Sequence, residues 1–295
     1  MKFVGLGGGH GLAATLRAAR LYADSISAVV TVADDGGSSG RLTRELGIPP
    51  PGDIRNCLVA LARDVQLADV FQHRFHSGAL TGHTVGNLVI AALTEMHGDF
   101  AAAVGAAARR LNTAGHVFPA TTELVLLGAR VAGGLIKGQE AVARTPAPIQ
   151  AVYLDPPDPP ACDDAVRAIE SADQIVLGPG SLFTSLIATL LVPGIRNAVN
   201  ESDAKRIFIC NSRMQKGETD GLDASHHVGA VLAHVGPRSV DAVVVQTPVF
   251  GADGVSVDKD GLDFLNVDVI EANVVAADGT HDPKGLAEVL RELDK

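Results

Sequence analysis

Short runs rich in β-branched residues alternate with longer stretches of helical period along this chain, and glycines or prolines mark most of the junctions. Lys2 to Leu6 reads as a short buried strand, and Leu12, Leu16, Ala19 and Leu21 then recur at helical spacing, so the glycines between them form a strand-to-helix turn. Ile26 to Ala33 is a second strand that empties into the polar cluster DDGGSSG. After Pro49 to Pro51, Gly52 and Asp53 open a helix carried by Ile54, Leu58 and Leu61. The stretch from about residue 66 to 115 is helical in pattern, broken by HSGALTGHT, and is expected to be a helical insertion. Short β-like runs follow at Leu124 to Leu127, Leu135 to Ile136 and Ile149 to Leu154, then the linker-like DPPDPP. Gln174 to Leu177, the turn GPGS and the helical spacing of Leu182, Leu186 and Leu190 make a second strand, glycine turn and helix. Arg206 to Cys210 and Val243 to Gln246 are further strands, and Pro283 to Leu293 is a closing amphipathic helix. The pattern predicts an α/β fold with a mainly parallel sheet.

The chain has 295 residues, 46% of them hydrophobic, with 32 glycines and no tryptophan, which suits one domain spanning residues 1–295 and excludes a disordered chain. A formal net charge of −10 supplies no basic excess for nucleic acid. The first residues lack the pattern of a signal peptide, and the longest apolar run, Ser185 to Val192, stops at Pro193, so no membrane insertion is expected. Cys57, Cys162 and Cys210 are widely separated and make neither a disulfide framework nor a metal-ligand spacing; a cytoplasmic location fits them.

Candidate chemistry clusters at the strand ends. Gly7, Gly8, Gly9 and Gly11 let backbone N–H groups approach a phosphate at a helix N-terminus, although a tight turn needs the same glycines. His10 either donates to a phosphate oxygen or caps the turn. Asp34 and Asp35 stand where an acid meets a ribose or a metal, with an Asx-type turn as the plainer reading. Gly36, Gly37, Ser38, Ser39 and Gly40 read as a flexible, donor-rich loop beside Arg41 and Arg44, suited to a diphosphate. Asp53, Arg55 and Asn56 fall in the first turn of their helix. Asp53 is either an N-cap or catalytic, and Arg55 contacts phosphate or pairs with Asp34 or Asp35. Gly178, Gly180, Ser181 and Thr184 form the second glycine turn, with Ser181 as a competing helix cap, and Asn211, Gly217, Glu218 and Thr219 form a third strand-end loop. Loops from parallel strands converge on one crevice. His73, His76, His83, His226 and His227 match no ligand set and read as solvated or hydrogen-bonded surface residues, and Cys57 reads as core.

The segments GGGHGLAATLRAAR, TVADDGGSSGRL, PPGDIRNCLVALA, GHTVGNLVIAAL, LGPGSLFTSLIATLLVPGI and NSRMQKGET resemble, in order, the YvcK-type gluconeogenesis factor family of the CofD-like superfamily. The resemblance implies a Rossmann-like three-layer sandwich that binds a UDP-sugar, UDP-N-acetylglucosamine especially. It further implies a role in cell shape and cell-wall synthesis during gluconeogenic growth, with a cell-wall synthesis protein as partner; a homo-oligomer is expected. Nucleotide contacts carry over onto Gly8, Gly9, Asp35, Ser38, Asn87, Gly180 and Ser181, with Asp35 at the place of a metal-associated acid and Mg²⁺ as its ion. His10 and Met214 depart from the Thr or Ser, and the Thr, that the family pattern calls for. Two further readings stay open: a metal-dependent transferase similar to CofD, the 2-phospholactate transferase, and an NAD-binding protein, since Asp34 and Asp35 follow the first glycines by roughly 20 residues.

Overall fold

The structure, a computed structural model, describes residues 1–293. It begins with β1 (Lys2–Gly7), α1 (Gly9–Ala19) and β2 (Ser25–Val30). Both strands expose only their first residue, as strands covered on two faces must. The connection out of β2 carries five helices, α2 (Gly37–Leu46), α3 (Gly52–Leu61), α4 (Val65–Gln72), α5 (Val85–His97) and α6 (Phe100–Leu111), before β3 (His116–Pro119). Strands β4 (Leu126–Val131) and β5 (Gly134–Lys137), the short helix α7 (Gln139–Ala143) and β6 (Ile149–Asp155) then build a separate three-stranded antiparallel sheet. Helix α8 (Asp163–Glu170) leads into β7 (Gln174–Leu177), followed by a π-helical segment, Leu182–Ile187, that runs into α9 (Ala188–Leu190) and α10 (Pro193–Glu201). The chain closes with β8 (Lys205–Ile209), α11 (Ala224–Val235), β9 (Ala242–Gln246), α12 (Lys259–Phe264), β10 (Asp268–Ala272) and α13 (Pro283–Glu292).

The main sheet has seven strands in the order β10-β9-β8-β7-β1-β2-β3, every neighbouring pair parallel. Helices α1, α3 and α13 pack together and touch β1, β2 and β3, while α8, α9 and α10 form a second group touching the same strands. One contiguous hydrophobic core runs through these layers, giving the Rossmann-like three-layer sandwich. From β1 the chain steps outward to β2 and β3, and from β7 it steps the other way to β10. The order therefore reverses between β1 and β7, the position where open α/β sheets leave a ligand crevice beyond the strand ends.

Two local expectations change. The second strand ends at Val30, and GGSSG is not a flexible loop: α2 starts at Gly37 and includes Ser38, Ser39 and Gly40. Glycine and serine are poor helix formers, but Ser38 and Ser39 are buried here and Gly40 packs so closely on the Asp35 carbonyl that no side chain fits, so tertiary contact overrides propensity. Helix α11 and the edge strand β10 have no counterpart in the pattern reading. Among the described residues no single helix is long and apolar enough to cross a membrane; the apolar pair Leu182–Leu190 and Pro193–Glu201 is bent by 79°.

Candidate functional site

Strands β2, β1, β7 and β8 are neighbours in the sheet, so the loops after them emerge side by side. Close backbone approach binds these loops to one another. Thr15 Oγ1 donates to the Gly178 carbonyl at 2.9 Å, joining α1 to the second glycine turn. Gly11 lies against the Pro179 carbonyl and Gly8 against the Asp53 carboxylate, and in both places a Cβ would overlap its neighbour. Gly7 ends β1, and its carbonyl accepts from Thr31 N at 2.9 Å. His10 is exposed at the start of α1.

An acidic pair occupies one side. Asp34 accepts from Gly36 N at 3.0 Å and from the Ser39 hydroxyl. Asp53 does not cap its own helix, whose N-cap position is Pro51; its carboxylate instead accepts the N–H of Gly9 at the start of α1. Burial first, and then the charge of Asp34, push the Asp53 carboxyl up to about 7, against the pull of the Gly9 N–H and Arg55. Burial raises the Asp34 carboxyl as well. Asp35 turns away from this pair: its two oxygens accept from Gln139 N at 3.0 Å and Glu140 N at 2.9 Å, so it caps α7. Helix α7 and the residues after it thus span the crevice, since Gly217 on the far side packs against the Ala143 and Thr145 carbonyls.

The flanking arginines take other partners than those expected of them. Arg41 donates to the Thr81 carbonyl at 2.7 Å and Arg44 to the Asp35 carbonyl at 3.3 Å. Arg55 is buried and pairs with neither Asp34 nor Asp35. Its Nη1 donates to Thr84 Oγ1 at 2.7 Å and Asn87 Oδ1 at 2.9 Å, and its Nη2 to Asn56 Oδ1 at 2.7 Å. Its Nε is buried without a partner among the described residues. Ser38 extends this network, lying 3.0 Å from His83 Nδ1 and 3.1 Å from Asn87 Nδ2. His83, read from sequence as a surface histidine, is 6% exposed. His227 is likewise fully buried, with Nδ1 2.7 Å from the Asp223 carbonyl. Only the hydroxyl and amide at a helix start, Thr84 capping α5 with Asn87 three residues on, signal the His83 network in sequence.

The second glycine turn is closed by the protein itself. Asn211 accepts from Gly180 N at 3.1 Å and donates to the Gly180 carbonyl at 2.8 Å. Gln215 donates to Ser181 Oγ at 2.9 Å, and Ser181 makes no side-chain cap. Buried Glu218 accepts from Phe183 N at 2.7 Å, from Thr184 N at 3.0 Å and from the Thr184 hydroxyl. Gly178, Gly180, Thr184 and Asn211 therefore brace the crevice wall, with their donors already spent. The N–H groups of His10 and Gly11 on α1, and of Gly37, Ser38 and Ser39 on α2, have no partner among the described residues. Helix starts of this kind hold oxyanions.

No cluster of three or more His, Cys, Asp or Glu among the described residues could hold a metal unaided. Asp34 and Asp53 suit an ion that brings phosphate oxygens with it, since Mg²⁺ is commonly bound through one or two carboxylates and the substrate phosphates. Asp35 accepts one N–H of α7 on each oxygen, so a cation at that carboxylate would share it with the helix. A large surface hollow, about 940 Å³, lies between α6 and the β3 edge and is lined by none of the glycine-turn residues.

Residues 3–275 match the family described as 2-phospho-L-lactate transferase CofD. The chain is 39% identical over 312 residues to the gluconeogenesis factor of Bacillus subtilis, covering 100% of this chain and 98% of the relative. It is 46% identical over 242 residues to that of Halalkalibacterium halodurans, covering 81% and 75% of the two chains. A crystal structure of a UPF0052 family protein from Bacillus halodurans superposes with a TM-score of 0.95 at 40% identity, covering 98% of each chain. Motif order, sheet topology and near full-length identity coincide, and the chain belongs to the YvcK-type gluconeogenesis factor family, with the CofD-like fold.

Proposed function

We propose that the crevice holds a nucleoside diphosphate sugar, UDP-N-acetylglucosamine foremost, and that the protein is a ligand-responsive regulator of cell shape and cell-wall synthesis during gluconeogenic growth. The observation that carries the reading is the pair of helix starts, α1 and α2, on adjacent strands β1 and β2, each with unpartnered N–H groups. Strands β1 and β2 are neighbours, so both helix starts lie at the same end of the sheet, where each can take one phosphate of a single ligand. Helix α7, lying from Asp35 to Gly217, is the element whose position a ligand would bias, and so the surface a cell-wall synthesis partner would read.

A second reading, a metal-dependent transferase similar to CofD, is favoured by one observation, the repelling carboxyls of Asp34 and Asp53. A divalent cation bound with the nucleotide would neutralise them and the diphosphate together. Thermal-shift titration with UDP-N-acetylglucosamine, UDP, GDP and NAD, with and without Mg²⁺, followed by chromatography of the nucleotides, separates the readings. The expected result is saturable stabilisation by a few kcal/mol with the UDP-sugar, no displacement by NAD, and intact ligand afterwards. Metal-dependent product would replace the regulator with a transferase, and no stabilisation by any nucleotide would remove the crevice reading.

A further inference from the structure

A hydroxyl group has one proton and two lone pairs, and the surroundings of Ser38 decide how each is used. Asn87 fills one lone pair through Nδ2 at 3.1 Å. That amide is oriented without ambiguity, because Arg55 can only donate and its Nη1 holds Asn87 Oδ1 at 2.9 Å. The contact with His83 Nδ1 at 3.0 Å then has two states. With the imidazole proton on Nε2, Nδ1 accepts from Ser38, and the serine offers a ligand only a lone pair. With the proton on Nδ1, that N–H fills the second lone pair, and the serine's own proton is left free for another acceptor. Burial, followed by the charge of Arg41 and with a further contribution from Arg74, keeps the His83 pKa low, against Glu45, so both states are those of a neutral ring.

Ser38 lies in the first turn of α2, beside unpartnered N–H groups that favour a negative ligand atom. We propose that His83 is a positioning residue: when an oxyanion arrives at the start of α2, its proton moves from Nε2 to Nδ1, turning Ser38 from acceptor to donor toward that oxyanion. The ring loses one proton to solvent and regains one at the other nitrogen, so its charge is unchanged. The inference rests on the reading of the crevice as a nucleoside diphosphate site.

Nitrogen-15 NMR of the histidine-labelled full chain, titrated with UDP, tests it. The expected result is an Nε2–H signal for His83 in the free protein and an Nδ1–H signal at saturation. An unchanged tautomer in a sample that demonstrably binds UDP overturns this inference and leaves the crevice reading standing; absence of UDP binding removes both. Variants supply a second readout. His83→Asn keeps a side-chain N–H near the place of Nδ1 and is expected to bind UDP within about threefold of the unmodified chain, whereas His83→Leu is expected to weaken binding about tenfold, the worth of one hydrogen bond to a charged group. Equal weakening in both variants, or in neither, overturns the proposal. If His83→Leu fails to fold, the NMR experiment on the unmodified chain decides alone.

Discussion

Asp53 is the residue whose environment most changes its chemistry. In the unfolded chain its carboxyl titrates at the ordinary 3.8, and in the folded protein at about 7. Between those values the folded state keeps a proton that the unfolded state has released, so this group lowers stability as pH rises through the interval, with no further change above it. Asp53→Asn removes the charge and keeps an oxygen for the Gly9 N–H. It is expected to stabilise the protein by about 2 to 4 kcal/mol at pH 8 and hardly at all at pH 4. Thermal unfolding at the two pH values checks this, and equal effects at both would show that the charge is not the cause. The motif PPGDIRN marks Asp53 and Arg55 as residues with a task, and sequence reasoning goes no further. Their partners, Gly9 for one and Thr84 and Asn87 for the other, come from different elements, and a residue's type does not reveal a partner brought to it by the fold. His83 was hidden for the same reason.

Among the elements, the strands were legible where burial on two faces demands an unbroken apolar run: β7 matches its expected limits, and β1, β2, β8 and β9 fall within a few residues of theirs. Strand β10 was not, because it lies at the sheet edge with its residues partly exposed and its run includes Asp268 and Glu271. Helix α2 was hidden by its glycines and serines. The π-helical segment after β7 shows how a cap can be supplied from elsewhere. Ser181 has the right residue type and position, yet Glu218 from the β8 loop takes the free N–H groups of Phe183 and Thr184. Glu218→Ala strands those groups in a buried place and is expected to cost about 2 to 4 kcal/mol, with Glu218→Gln costing clearly less because one oxygen acceptor remains. Urea unfolding of the two variants measures the difference; similar losses would mean that the carboxylate's charge, rather than its acceptor oxygens, holds the segment.

For the whole molecule, the parallel sheet and its strand-end loops could be read from the chain, but the strand order could not, and the order makes the site. Placing β1 between β2 and β7 brings the first glycine turn beside both the acidic loop and the second glycine turn. Once they meet, their roles separate. The second turn spends the N–H groups of Gly180, Leu182, Phe183 and Thr184 on Asn211, Gln215 and Glu218, while α1 and α2 keep more of theirs open. Sequence alone treats the turns as equivalent because both are glycine-rich strand ends. The most direct test is a crystal of the protein grown with UDP-N-acetylglucosamine and Mg²⁺. The account expects diphosphate density against the N–H groups of His10, Gly11 and Gly37 to Ser39, with the Gly180 turn still bound to Asn211 and Glu218. Diphosphate density in the hollow between α6 and β3, or against a Gly180 turn released from those side chains, would contradict it.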